Sequence, residues 1–232
     1  MGAQRLVLFD IDGTLVRAGE VGRVVFDRAV RAVLGRPPAG RVRMSGKTDP
    51  LIVREYLAMD GEDNPGQLQA VLHQLERELA QAQGELVAQG SPCPGASELL
   101  AHLGSDSRLH LSVLTGNIRP NAVVKLSSFG LDRWLDLEVG AYGSDSEDRA
   151  ALVPVALGRL ASLRGTYLQA TDVWVIGDTP RDYECAKAAG AHCILVATGR
   201  YGAGELGALG ADAVLADLTH PEVVAALVTE GL

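Results

Sequence analysis

Short, evenly apolar runs recur along the chain: Arg5 to Phe9, Leu111 to Leu114, Asp136 to Val139, Val173 to Ile176, Cys193 to Val196 and Ala213 to Leu215. Each reads as a strand covered on both faces, because neither face alternates with polar residues. Between them, apolar positions repeat with helical period near 95–104, 119–129, 149–164, 180–189 and 221–229. Pro94, Pro120, Pro180 and Pro221 stand close to the starts of these stretches, where the missing N–H of proline costs no hydrogen bond. Strand and helix in alternation predict an α/β fold, a doubly wound parallel sheet with helices on both sides.

The alternation is interrupted after the first strand. Residues 17–93 show no strand pattern and instead three or four helical patterns, among them an apolar stripe of Leu68, Val71, Leu72, Leu75, Leu79, Leu86 and Val87 in a Gln/Glu-rich stretch. An insert of this size predicts an all-α cap domain over 17–93, flanked by Gly19 and the turn-forming Gly90-Ser91-Pro92, with residues 1–16 and 94–232 forming the sheet domain.

Composition narrows the partners. The 232 residues carry 21 basic and 29 acidic side chains, a net charge of −8, which disfavours broad binding to nucleic acid or anionic membranes. No apolar run approaches the roughly 18 residues of a membrane span, and Asp10 ends the first apolar run too early for a signal peptide, so a cytoplasmic protein is expected. Cys93, Cys185 and Cys193 lack CxxC spacing and read as buried thiols, and the five histidines show no paired ligand spacing. Ser144 to Asp148 reads as a solvated turn and helix cap.

Three of the strands run into polar residues: Asp10-Ile11-Asp12-Gly13-Thr14 after the first, Thr115-Gly116-Asn117 after Leu114, and Gly177-Asp178-Thr179 after Ile176. Ligands of open parallel sheets bind at the carboxyl edge, so the three groups converge on one crevice. Asp10 and Asp12 are two apart, which on a straight strand aims both side chains to one face, and two close carboxylates do not both ionise cheaply. With Asp178 as a third carboxylate, a hard divalent ion such as Mg²⁺ is the economical solution. Turn capping would explain one of these residues, not their convergence. Thr179-Pro180-Arg181-Asp182 also has the form of a helix N-cap with an acidic third position.

Asp10-Ile11-Asp12-Gly13-Thr14-Leu15, Leu114-Thr115-Gly116-Asn117 and Gly177-Asp178-Thr179-Pro180-Arg181-Asp182, in this order, resemble the haloacid dehalogenase-like superfamily of phosphohydrolases, in the phosphoglycolate phosphatase-like branch with a helical cap. The resemblance implies that Asp10 is the nucleophile and Asp12 the general acid and base. It further implies a metal site of Asp10, the main-chain carbonyl of Asp12, and Asp178. Thr115 and the backbone around Gly116 and Asn117, where a helix is expected to begin, would bind a phosphoryl group. Asp182 would steady the basic phosphate-binding residue or a metal-bound water. Members of the family place a lysine before the last motif. Here no lysine lies between Lys125 and Lys187, and Arg149 is the positional match.

In the cap, Ser45-Gly46-Lys47-Thr48-Asp49-Pro50 reads as a turn entering a helix with Asp49 as N-cap. Lys47, with Arg41 and Arg43 beside it, is a candidate contact for the leaving group of a small phosphorylated substrate. Gly199 to Gly204 lacks the order of a dinucleotide fingerprint and reads as a flexible loop at the catalytic edge. The expected reaction is Mg²⁺-dependent hydrolysis of a small organic phosphate monoester through an aspartyl-phosphate. A phosphonate hydrolase using Lys47 as a Schiff base, a sugar-phosphate mutase, or a non-enzymatic phosphoacceptor or binding protein would use the same scaffold. A dehalogenase is disfavoured, since that chemistry has no leaving oxygen for Asp12 to protonate.

Overall fold

The computed structural model describes residues 3–62 and 64–230. Five parallel strands form the central sheet: β1 (Arg5–Phe9), β4 (Leu109–Val113), β5 (Val173–Gly177), β6 (His192–Val196) and β7 (Ala213–Leu215), in the order β4-β1-β5-β6-β7. A separate antiparallel ribbon pairs β2 (Val16–Arg17) with β3 (Ser91–Pro92) through Val16↔Pro92 and Arg17↔Ser91. The expectation of no strand in 17–93 therefore misses this two-residue ribbon, which ties the entry of the inserted segment to its exit. A backbone bond from Cys93 N–H to the Leu15 carbonyl, 2.9 Å, adjoins it.

The side chains of β1 divide by parity, as a strand covered on both faces must. Val7 and Phe9 join Leu111, Val113, Trp174 and Ile176 in the layer under α5 (Ala96–Leu103), α6 (Arg119–Ser127) and α10 (Pro221–Glu230). Leu6 and Leu8 join Val173, Val175, Cys193 and Leu195 under α7 (Leu152–Arg164), α8 (Pro180–Ala189) and α9 (Ala203–Gly207). Replacing one of these buried leucines by alanine typically costs about 2–5 kcal/mol through lost contacts and the cavity left behind. The sheet is doubly wound, and the chain leaves β1 for β4 on one side and returns to β5 on the other. The crevice at the carboxyl ends of β1, β4 and β5 is therefore the topological switch point.

The helical cap contains α1 (Val21–Leu34), α2 (Asp49–Met59), α3 (Pro65–Gln81) and α4 (Gln83–Gln89), closed around Val25, Phe26, Val30, Val53, Tyr56, Leu75 and Leu79. Leu68 and Leu72 are only partly buried, and Val87 is exposed, because the helix breaks at Ala82 and α4 presents Leu86 alone to the core. Asp49 is not the N-cap of α2: Thr48 holds that place, and Asp49 is the first helical residue with its carboxylate turned to the sheet domain. Pro94 lies ahead of α5 rather than at its first position.

Asp136 to Val139 is a turn rather than a strand. The Asp136 carboxylate accepts from Glu138 N–H, the Val139 N–H bonds back to the Asp136 carbonyl, and only the isolated bridge Leu114↔Ala141 extends the sheet edge. Nor is Ser144 to Asp148 merely solvated. Asp145 pairs with Arg159 at 2.6 Å, Glu147 pairs with Arg54 of α2 at 2.6 Å, and Asp148 caps the 3₁₀ turn Arg149–Ala151. Cys93, Cys185 and Cys193 are free and buried. Among the described residues no helix is long and apolar enough to cross a membrane.

Candidate active site

Asp10 follows β1 directly, Asp178 follows β5 directly, and Thr115 lies two residues past β4. All three line one cavity of about 350 Å³, together with Asp12, Gly116, Asn117, Lys47, Lys125 and Arg149. Its roof is the cap loop around residues 44–49, held to the sheet domain by short bonds. Asp49 N–H donates to the Gly116 carbonyl at 2.7 Å and the Asp49 carboxylate accepts from Ile118 N–H at 2.8 Å. Thr48 Oγ1 donates to the Glu147 carbonyl at 3.0 Å, and Arg149 Nη1 to the Gly46 carbonyl at 3.3 Å.

Carboxylate oxygens of Asp10, Asp178 and Asp182 all lie within 4.8 Å of one another, and all three residues are buried. Burial first, and then neighbouring negative charge, pushes the Asp10 carboxyl up to about 6 against the pull of Arg149, and the Asp178 carboxyl up to about 9. Among the described residues one guanidinium sits directly against this trio of carboxyl groups.

Arg149 is that cation, 6 % exposed, with Nη2 3.1 Å from Asp10 Oδ2 and bonded to Asp182 Oδ1. Burial opposes its charge, but Asp10 and Asp182 outweigh that, and its pKa is raised. Among the described residues its buried Nε–H has no partner. Asp182 is also the capping residue its sequence suggests: its Oδ2 accepts from Thr179 N–H at 3.0 Å and from Thr179 Oγ1 at 2.7 Å at the start of α8. One carboxylate thus caps α8 and holds Arg149.

Asp178 is seated closely enough to exclude any side chain on two neighbouring glycines. A Cβ on Gly13, where φ is +89°, would lie 2.4 Å from Asp178 Oδ2, and one on Gly199 would lie 1.7 Å from it. The glycine-containing segment after β6 thus carries a defined role, its first residue forming one wall beside Asp178. Thr14 Oγ1 donates to Asp178 Oδ1 at 3.3 Å.

Asp12 departs from the straight-strand expectation. The strand ends at Phe9, and the Asp12 carboxylate is not part of the acidic trio. It accepts from Lys125 Nζ at 2.8 and 2.6 Å and from Asn117 Nδ2 at 2.7 Å. Asn117 Nδ2 also reaches Thr115 Oγ1 at 2.9 Å, so the Asn117 side chain is occupied by protein partners. The helix expected near Asn117 begins at Arg119. Lys47 lines the cavity, but its Nζ is 2.5 Å from Glu55. Arg43 lines an adjoining cavity and Arg41 a separate one. Lys125 is the residue that reasoning from sequence overlooks. It stands in the second turn of α6, eight residues after Asn117, and the turn between Asn117 and Arg119 that brings the two together is not encoded in that spacing.

The chain belongs to the haloacid dehalogenase-like hydrolase family, whose model matches residues 7–196, from the middle of β1 to the end of β6. Among individual proteins it is 30% identical over 199 residues to a phosphoglycolate phosphatase of Yersinia pestis, covering 83% of this chain and 80% of that one. It is 32% identical over 228 residues to a plasmid-encoded phosphoglycolate phosphatase of Cupriavidus necator, covering 96% and 92%. The crystal structure of a hydrolase from Pseudomonas syringae superposes with a TM-score of 0.71 at 21% identity, over 96% of this chain and 98% of that one.

Proposed function

We propose that this hydrolase is a Mg²⁺-dependent cytoplasmic phosphatase that cleaves a small organic phosphate monoester through a phosphorylated Asp10. The observation that carries the reading is the buried pairing of Asp10 with Arg149 beside Asp178, at the switch point of the sheet and under a roof supplied by the cap. The relatives named phosphoglycolate phosphatase support the phosphomonoester class. The division into a core of 1–16 and 94–232 and a cap of 17–93 belongs to the same proposal, with the β2–β3 ribbon as the joint.

The donor set fits a hard cation. Asp10 and Asp178 offer buried carboxylate oxygens within 4.8 Å of each other, and Gly13 and Gly199 bring no side chain of their own against Asp178. Asp10 and Asp178, with the main-chain carbonyl of Asp12, would hold the ion. When bound, it neutralises the carboxylates and the phosphoryl oxygens they must approach.

The residues of the chain divide the remaining work. Arg149 balances the charge on Asp10 and, lining the cavity, sets its positive charge toward the phosphoryl group. Thr115, Gly116 and the backbone at Asn117 line the side of the cavity where the other oxygens would rest. An Asp10 carboxylate oxygen attacks phosphorus, the bond to the leaving oxygen breaks, and Asp12 gives that oxygen a proton. Water then attacks the aspartyl-phosphate, Asp12 takes back a proton, and inorganic phosphate leaves. Closure by the cap limits water to the molecule that is needed. The ion pair of Lys47 with Glu55 occupies the amine that a Schiff-base phosphonate hydrolase would need free.

A panel of phosphorylated metabolites assayed with Mg²⁺ tests the reading. Release of phosphate from at least one alkyl ester, abolished by Asp10→Asn, is expected. Full activity in the Asp10→Asn variant, or transfer of the phosphoryl group to a second position of the substrate instead of to water, refutes it.

A further inference from the structure

Asp12 lies outside the regular strand geometry, in a turn closed by a bridge to Val16 and by backbone bonds from the Leu15 and Val16 N–H groups to the Ile11 carbonyl, 2.9 and 2.8 Å. Nothing in the pleat of β1 fixes the direction of its side chain. That direction is set by two residues of the segment following β4. Lys125 reaches it from the second turn of α6, and its ammonium group spends three contacts on three acceptor atoms: Asp12 Oδ1 at 2.8 Å, Asp12 Oδ2 at 2.6 Å and Asn117 Oδ1 at 2.7 Å. Asn117 closes the ring through Nδ2 to Asp12 Oδ2 at 2.7 Å.

The exposures of the pair are unequal, and this matters for their roles. The Lys125 side chain is 8 % exposed and that of Asp12 is 43 %. A lysine this buried is costly unless its ammonium is paired and hydrogen-bonded throughout, and Asp12 with Asn117 meets that need. The open side of Asp12 remains available to the cavity that both residues line. Lys125 lines that cavity too, but its ammonium is spent on Asp12 and Asn117, and its two bonds to the Asp12 carboxylate, with the one from Asn117, leave that group little rotational freedom.

We infer that Lys125 is the positioning residue for Asp12, fixing the carboxyl group that gives its proton to the leaving oxygen and is left as the carboxylate. The inference rests on the role given to Asp12 above. Its consequence is a selective one. An alkoxide leaving group needs the proton as its bond to phosphorus breaks, whereas 4-nitrophenolate departs without it. Loss of the grip on Asp12 must then fall on alkyl esters and spare the nitrophenyl ester. A structural role for Lys125 alone would lower both equally.

The test compares kcat/KM for phosphoglycolate and for 4-nitrophenyl phosphate, since kcat/KM reports the step in which the leaving group departs and not the later attack of water. Lys125→Met is expected to lower the value for the alkyl ester by about 100-fold, the lower end of general-acid contributions, while changing that for the nitrophenyl ester by less than about 5-fold. In an Asp12→Asn background the same substitution is expected to have no further effect on the alkyl ester, because the two residues act as one unit. Should Lys125→Met fail to fold, Lys125→Arg keeps the positive charge while displacing the donor, and the same selectivity is expected in smaller measure. Equal losses on both esters, or losses that add in the double variant, overturn the inference. Absence of turnover of any phosphate ester by the wild-type protein instead refutes the phosphatase reading itself.

Discussion

Asp49 joins cap to core by its carboxylate, and replacing it with asparagine should make the protein more stable at neutral pH. The residue is 4 % exposed, and burial, offset by Lys125 and by the Ile118 N–H, pushes its carboxyl from 3.8 to about 7. A raised carboxyl pKa means that the native state holds a proton the unfolded chain has released. The stabilising contribution of the protonated form is complete below pH 4 and is lost as pH rises to about 7. At about 1.4 kcal/mol per pH unit, the loss approaches about 4 kcal/mol by pH 8. Asparagine keeps an oxygen to accept from Ile118 N–H and never ionises. Urea unfolding of both proteins at pH 4.5 to 8, without added divalent ions, reads the difference directly (about seven half-unit steps resolve the slope). Asp49→Asn should gain on the wild type steadily between about pH 4 and 7 and level off above. A gap that stays constant with pH, or one that grows as pH falls, would refute the burial argument.

Two further outcomes follow from the charge balance of the site. Mg²⁺ at about 100 times its Kd should stabilise the protein by about 2.7 kcal/mol, seen as a rise in Tm that chelation reverses and that Asp178→Asn abolishes. An unchanged Tm at every Mg²⁺ concentration contradicts the ligand assignment. Arg149→Ala leaves Asp10 and Asp182 without their cation, so about 3–5 kcal/mol of stability should be lost, with turnover falling even where the variant is still folded. Unchanged turnover would remove Arg149 from the site.

The crevice was legible because each of its parts ends a strand that periodicity reveals. Asp10, Thr115 and Asp178 follow apolar runs, and the carboxyl edge of a parallel sheet brings such ends together whatever lies between them. Arg149 could be found by position, since the 3₁₀ turn that carries it follows the last segment before α7. Other features depend on side-chain direction, which spacing does not encode. Asp10 and Asp12 share a parity, yet the chain leaves its strand between them, so one carboxylate faces Arg149 and the other Lys125. Lys125 itself looks like any polar residue in a helix until α6 is docked, when its stem lies buried beside Leu126. Asp136-Leu137-Glu138-Val139 alternates as a strand does, but the Asp136 carboxylate captures the Glu138 N–H and the chain turns. Thr48 and Asp49 are both good caps, and only the docked cap shows that Asp49 serves the sheet domain instead.

The central claim is that Asp10 receives the phosphoryl group. Acid quenching during steady turnover of an alkyl phosphate, borohydride reduction and mass spectrometry of the peptide containing residues 5–17 tests it directly. Reduction of an acyl phosphate to the alcohol converts aspartate to homoserine, and that conversion is predicted at position 10 and nowhere else. Turnover that proceeds while position 10 remains aspartate, or homoserine found at position 12 or 178, would contradict the account.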